Sequence, residues 1–185
     1  MSSHPYTIRH IASILGLNSF DKKHDAVITK LVIDSRSVID PDGSLFFALI
    51  AKRDGHEYLK DAYSNGIRNF VISDANYQGL FPDVNILLVP DVMTALQSIA
   101  AYNRQQHQLK VLGITGSNGK TVVKEWLYQL LAADFNIVRS PKSFNSQIGV
   151  PLSVWEISAH HTLGIFEAGI SKVNEMDALA SIIRP

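Results

Sequence analysis

Hydrophobic positions along the chain fall into short unbroken apolar runs that exchange with stretches of helical spacing, a period near 3.6. That exchange predicts strands alternating with helices. Thr7 precedes Ile8, Ile11, Ala12 and Leu15, an apolar set on one helical face with an N-cap ahead of it and Gly16 as a stop. Residues 30–33 read as a strand running into Asp34-Ser35-Arg36. After the Pro41-Asp42-Gly43 turn, the unbroken apolar run 45–51 reads as a buried strand. Asp54-Gly55 is a second turn. Residues 56–65 carry helical spacing through Leu59, Ala62 and Tyr63, closed by Gly66. Residues 70–72 and 86–89 are short buried strands, and 91–107 is one long helix with Val92, Leu96, Ile99, Ala100 and Asn103 along one side.

The polar end of that helix, Arg104-Gln105-Gln106-His107-Gln108, is where the pattern restarts. The expected division is a first domain over 1–108 and a second over 109–185. The second part predicts a strand at 111–114, a glycine loop, a helix at 120–133, a short strand at 137–138, a helix at 150–155, a strand at 163–167 and a helix at 173–183. The fold class is α/β with at least partly parallel pairing. A sheet of so few strands predicts an unfinished unit, and the stop after Arg184-Pro185 reads as truncation.

Composition narrows the functions. Of the 185 residues, 46% are hydrophobic, and 17 Lys+Arg balance 17 Asp+Glu. A neutral chain lacks the clustered positive charge that non-specific nucleic-acid or anionic-membrane binding requires. With no cysteine, disulfides, thiolate zinc sites, iron–sulfur clusters and a cysteine nucleophile are excluded, and a cytoplasmic location is expected. The polar start of the chain has no signal-peptide core. No apolar run approaches the roughly 20 residues of a membrane span. His4, His10, His24 and His107 lack ligand spacing and read as surface residues, and His160-His161 as a loop. Trp126 and Trp155 read as core residues.

The chemistry lies in Gly113-Ile114-Thr115-Gly116-Ser117-Asn118-Gly119-Lys120-Thr121. Strand before and helix after is the context of a phosphate loop. Glycines let backbone N–H groups converge on phosphate oxygens, and the helix N-terminus adds its positive dipole end. Lys120 supplies a point charge for the β- and γ-phosphates, and Thr121 a hydroxyl oxygen for Mg²⁺. The first glycine stands one residue earlier than the general pattern asks, and the alternative is a glycine-rich turn with a chance Gly-Lys-Thr. Glu167, at the end of an apolar strand, is the candidate second metal ligand; its alternative is a capping carboxylate for the helix that follows.

These residues resemble the Mur ligases. Thr115-Gly116-Ser117-Asn118-Gly119-Lys120-Thr121 is similar to the family's ATP loop, which carries the early glycine. Phe144-Asn145-Ser146-Gln147-Ile148-Gly149-Val150-Pro151 and Ile165-Phe166-Glu167-Ala168-Gly169 resemble the segments that follow it. In the first half, Asp34-Ser35-Arg36, Gly43-Ser44-Leu45-Phe46-Phe47-Ala48-Leu49 and Arg53-Asp54-Gly55-His56 resemble the family's substrate domain.

The resemblance implies a UDP-sugar substrate domain followed by the start of a P-loop-type parallel-sheet ATPase domain, and a role in peptidoglycan synthesis. The Ile-Gly-Val-Pro and Asp-Gly-His forms are most similar to the member that joins D-alanyl-D-alanine to UDP-N-acetylmuramoyl-tripeptide through an acyl phosphate. A sister ligase adding another amino acid, or a non-catalytic nucleotide-binding module, are the rival readings. The resemblance implies ATP and Mg²⁺ as cofactors, with Gly113, Thr115–Gly119, Lys120 and Thr121 binding nucleotide and Thr121 and Glu167 binding metal. It puts Lys120, Asn145 and Glu167 in catalysis, and Ser35, Arg36, Asp54 and His56 at the UDP-N-acetylmuramoyl-peptide; the alternative is that Asp34-Ser35-Arg36 is a strand-end turn held by its own hydrogen bonds and Asp54-Gly55 a plain turn. Ser143, Ser146 and Gln147 depart from the family's commoner residues. Ala51-Lys52-Arg53, without the usual glycine, resembles a variant fused to alanine racemase, the one case that would add pyridoxal phosphate. The family's downstream histidine, modified lysine and adenine contacts have no counterpart before Pro185, so these residues alone are expected to be inactive, and a hinge is expected at 105–110.

Overall fold

The computed structural model describes residues 6–170 and 175–185. His4 and the start of the last predicted helix, Val173, lie outside the described residues. The chain divides into two compact units, Met1–Leu96 and Gln97–Pro185.

In the first unit, β1 (Tyr6–Thr7) pairs antiparallel with β2 (Val27–Ile28), a small ribbon that hydrophobic periodicity does not announce. Helix α1 (Ile8–Ile14) is N-capped as expected: the Thr7 hydroxyl accepts the His10 backbone N–H. Strands β3 (Lys30–Val32), β4 (Ser44–Phe47), β5 (Asn69–Ile72) and β6 (Asn85–Leu88) form a parallel sheet in that order. Each crosses over to the next, so their C-terminal ends lie along one edge.

Val32, Phe46, Phe70, Ile72 and Ile86 pack with Leu59 and Ala62 in the core. At the other edge the registered pair Asn69 and Asn85 is buried. The Asn85 amide donates to Asn69 Oδ1 at 2.8 Å, while Asn85 Oδ1 accepts the backbone N–H groups of Lys23 and His24. Buried amides of this kind are tolerated because each polar atom is paired.

Two predicted elements are shorter than their apolar runs. The strand expected over 45–51 ends at Phe47; Ile50 is exposed, and residues 50–54 close as a tight loop with an Ile50–Asp54 bridge. The helix expected over 56–65 is a 3₁₀ turn, Gly55–Tyr58, leading into α2 (Leu59–Ser64). Asp54 sets that turn by accepting the His56 N–H at 2.9 Å.

Helix α3 (Val92–Gln105) carries the division between Leu96 and Gln97, inside the helix, whereas the sequence pattern placed it at 108. The last two turns of the helix explain the difference. Ala100 belongs to the second unit's core, and the buried Asn103 amide donates toward the Val154, Trp155 and Ile157 carbonyls. The Arg104 guanidinium, polar in the sequence yet buried, donates to the carbonyls of Ile183, His107, Leu109 and Arg184.

The second unit continues with β7 (Lys110–Ile114), α4 (Lys120–Leu131), β8 (Ile137–Arg139), α5 (Gly149–Trp155), β9 (Leu163–Glu167) and α6 (Glu175–Ile183). Its sheet is parallel, in the order β7-β9-β8. Val138, Val150, Val154, Phe166, Leu179 and Ile182 form its core. Trp155 is buried as expected, but Trp126 is 63% exposed. Helix α4 is apolar on more than one side, so spacing alone does not say which side faces the sheet. His160 and His161 lie in the turn region before β9 and both engage Ser158.

Candidate functional site

The glycine loop is the link between β7 and α4. Gly113 lies within β7, inside the strand expected over 111–114, so the loop proper begins after Ile114. Thr115, Gly116, Ser117, Asn118 and Gly119 are exposed. Gly116 has φ +136° and Gly119 φ +78°, backbone conformations that a side chain disfavours. Gly119 is the N-cap of α4, so the helix's unpaired N–H groups and positive dipole end open at the loop. Lys120 folds back over it, its ammonium donating to the Gly116 carbonyl at 2.6 Å.

The parallel register sets Ile114, at the end of β7, opposite Glu167, at the end of β9. This brings the predicted metal pair together: the Thr121 hydroxyl donates to Glu167 Oε2 at 3.1 Å. The Ser143 hydroxyl is 3.2 Å from that of Thr121. Glu167 is fully buried, and the Ser140 hydroxyl accepts its backbone N–H at 3.1 Å. Both Glu167 carboxylate oxygens face α4, one at Lys124 and one at Thr121, and the stretch where the following helix would be capped lies outside the described residues.

Sequence reasoning missed the partner of the other oxygen. Glu167 Oε1 pairs with the ammonium of Lys124 at 2.9 Å and has no directed hydrogen bond among the described residues. Lys124 has no exposed surface; its ammonium also donates to the carbonyls of Ser140, at 2.7 Å, and of Lys142. The available signal was spacing: Lys124 lies one turn beyond Thr121, on the face that also carries Leu127, Tyr128 and Leu131.

The donor set fits a magnesium nucleotide. Thr121 and Glu167 offer hard oxygens, and among the described residues no group of three His, Cys, Asp or Glu side chains could hold a metal without help. Mg²⁺ is commonly held by one or two protein oxygens with phosphate and water completing its shell.

Asn145 is half-buried near the same sheet end, its carbonyl accepting the Gly169 N–H at 2.8 Å. Ser146 and Gln147 act locally. The Ser146 hydroxyl accepts the Gly149 N–H at the start of α5, and the Gln147 amide joins Gln97 and the Glu175 carbonyl.

The residues expected at a substrate in the first unit all follow the C-terminal ends of β3 and β4, the edge where open parallel sheets bind ligands. Their side chains differ in availability. Ser35 and His56 are buried. The His56 ring accepts the Ser73 and Asp74 backbone N–H groups at Nε2 and donates from Nδ1 to Asp54 at 2.6 Å. That arrangement fixes one neutral tautomer. Arg36 is exposed and forks onto Asp34 through Nε at 2.9 Å and Nη2 at 2.7 Å. This pairing holds the Asp34 carboxyl down at about 2.

Comparison with known proteins agrees with this geometry. Residues 114–185 match the Mur ligase middle domain. The chain belongs to the Mur ligase family. Among curated relatives, the UDP-N-acetylmuramoyl-tripeptide–D-alanyl-D-alanine ligase of Borreliella burgdorferi is 32% identical over 173 residues, covering 89% of this chain and 37% of the relative. The enzyme of the same name from Synechocystis is 32% identical over 181 residues, covering 97% and 39%. A crystal structure of MurF from Acinetobacter baumannii superposes with a TM-score of 0.86 at 26% identity, covering 100% of this chain and 40% of that one. MurF from Thermotoga maritima in complex with ADP gives 0.68 at 27% identity, covering 83% and 35%. The chain thus spans about two fifths of the length of the relatives it matches.

Proposed function

We propose that the chain forms the nucleotide-binding and UDP-sugar-binding part of an ATP-dependent ligase. The ligase joins D-alanyl-D-alanine to UDP-N-acetylmuramoyl-tripeptide during cell-wall synthesis in the cytoplasm. The observation that carries the proposal is the convergence of the glycine loop, Lys120, Thr121 and Glu167 at the C-terminal end of one parallel sheet. The names of the relatives supply the substrate class. Among the described residues no helix is long and apolar enough to cross a membrane.

In this reading the loop N–H groups and the N-terminus of α4 bind the nucleotide's phosphates, and Lys120 exchanges the Gly116 carbonyl for phosphate oxygens. Thr121 and Glu167 hold Mg²⁺, which when bound neutralises phosphate charge. The tripeptide carboxylate attacks the γ-phosphorus, ADP leaves, and the dipeptide amine displaces phosphate from the acyl phosphate to form the peptide bond. The protein's part is positioning and charge stabilisation. Asn145 faces the reacting groups from the neighbouring loop. Arg36 and Asp54, which reach solvent, contact the UDP-sugar, while buried Ser35 and His56 hold the turns that present them.

The test is a ligation assay on the protein that carries this chain, with ATP, Mg²⁺, UDP-N-acetylmuramoyl-tripeptide and D-alanyl-D-alanine. ADP, phosphate and the pentapeptide product are expected, and Lys120→Ala should lower the rate about a thousand-fold. Product formed only with a different amino acid would assign a sister ligase. Function unchanged in Lys120→Ala would assign a non-catalytic nucleotide module.

A further inference from the structure

We infer that Lys124 is a positioning residue for the magnesium-binding carboxylate: it holds one edge of Glu167 so that the other edge faces Thr121 and the nucleotide. The inference rests on the nucleotide-binding reading above and adds to it a residue outside the glycine motif.

Four observations support the inference. Lys124 and Glu167 are both completely buried, with the ammonium 2.9 Å from Oε1. Burying an ammonium is costly unless it is hydrogen-bonded and its charge paired, and here the Ser140 and Lys142 carbonyls accept from it and the Glu167 carboxylate balances its charge. The loop that supplies those carbonyls adopts an unusual backbone to do so, with Lys142 at φ +50°. Finally, the same loop touches both metal-binding residues of the proposed site, since Ser140 accepts the Glu167 N–H and Ser143 meets the Thr121 hydroxyl.

Lys124 therefore ties three elements at one atom: α4, which carries Thr121; β9, which carries Glu167; and the loop after β8. Oε1 is occupied by the ammonium, so Oε2, already paired with Thr121, is the oxygen left for a cation. A neutral core residue in place of Lys124 would fill the space but leave the carboxylate free to turn. Glu125, whose carboxylate lies 3.3 Å from the same ammonium, is held on the outer side by Arg139 and does not replace Glu167.

The experiment measures ADP binding to the full chain with Mg²⁺ and with a chelator, and takes the ratio of the two affinities. Lys124→Met is expected to shrink the Mg²⁺-dependent gain about ten- to a hundred-fold, the usual effect of removing a partner that orients a metal ligand. Lys120→Ala, by contrast, is expected to weaken binding in both conditions. Circular dichroism checks that Lys124→Met is folded.

If it is not, Lys124→Cys supplies the second arm, because the chain has no other cysteine. Aminoethylation of that thiol rebuilds an ammonium at the same reach and is expected to restore the Mg²⁺-dependent gain that the unmodified variant lacks. A folded Lys124→Met with the wild-type ratio overturns the inference, as does a restored fold without a restored ratio. Wild-type chain that binds no ADP in either condition overturns the nucleotide reading itself, and the inference with it.

Discussion

Arg36 and His56 show how differently two residues of similar motif character are used. Arg36 projects into solvent with its fork on Asp34, while His56 is enclosed, with both ring nitrogens engaged by the protein. The Asp34 carboxyl, held at about 2 by Arg36, gives a direct test. In Arg36→Ala its titration, followed by carboxyl NMR, is expected to move up toward about 4, the unperturbed value. The sign follows from the lowered native value. The stabilising contribution is present above the unfolded carboxylate's titration near 4 and is lost as pH falls through about 2. Being a solvent-exposed pair, it should contribute little to stability in either state.

His56→Ala is the opposite case. It strips two backbone N–H groups of their acceptor and opens a cavity, and should cost about 2–4 kcal/mol in urea unfolding. Resemblance to the family's motifs pointed to both residues but could not separate an exposed ligand group from an internal anchor, because that depends on which loop covers which.

At the scale of elements, most strands and helices were legible because their apolar periodicity is undisturbed. The missed features have two physical causes: an element too short to carry a pattern, or a tertiary partner that outranks it. The β1–β2 ribbon is too short to show a period. The apolar run after Phe47 turns outward at Ile50 because Asp54 closes the loop. The charged end of α3 is buried because Arg104 finds four carbonyls.

Helix α4 is the clearest instance. It buries a lysine and exposes Val123, Trp126 and Leu130, the reverse of what residue type suggests. This predicts that Trp126→Lys changes the chain's stability by less than about 0.5 kcal/mol in thermal unfolding, as for other surface substitutions. Leu179→Ala, within the core of the same unit, should cost about 2–5 kcal/mol. A large loss at Trp126 would mean that α4 packs the other way round.

For the whole molecule, two parallel sheets present their candidate site residues by the same rule, at the strands' C-terminal ends. In the second unit that rule joins a motif legible in sequence, the glycine loop, to a carboxylate 46 positions further along the chain. Strand order explains why the second half of the site was harder to read: β9 lies between β7 and β8, so Glu167 reaches Thr121 only through the sheet. Neutral composition carried no hint of the anionic ligand proposed above, because the candidate site consists of backbone N–H groups and one lysine.

The most direct test of this account is amide NMR mapping of ADP with Mg²⁺ on the full chain. Shifts are expected to concentrate at residues 115–121 and at Glu167, with little change at Ser35 or His56. Binding without shifts in the glycine loop, or shifts centred on the first unit, would contradict it.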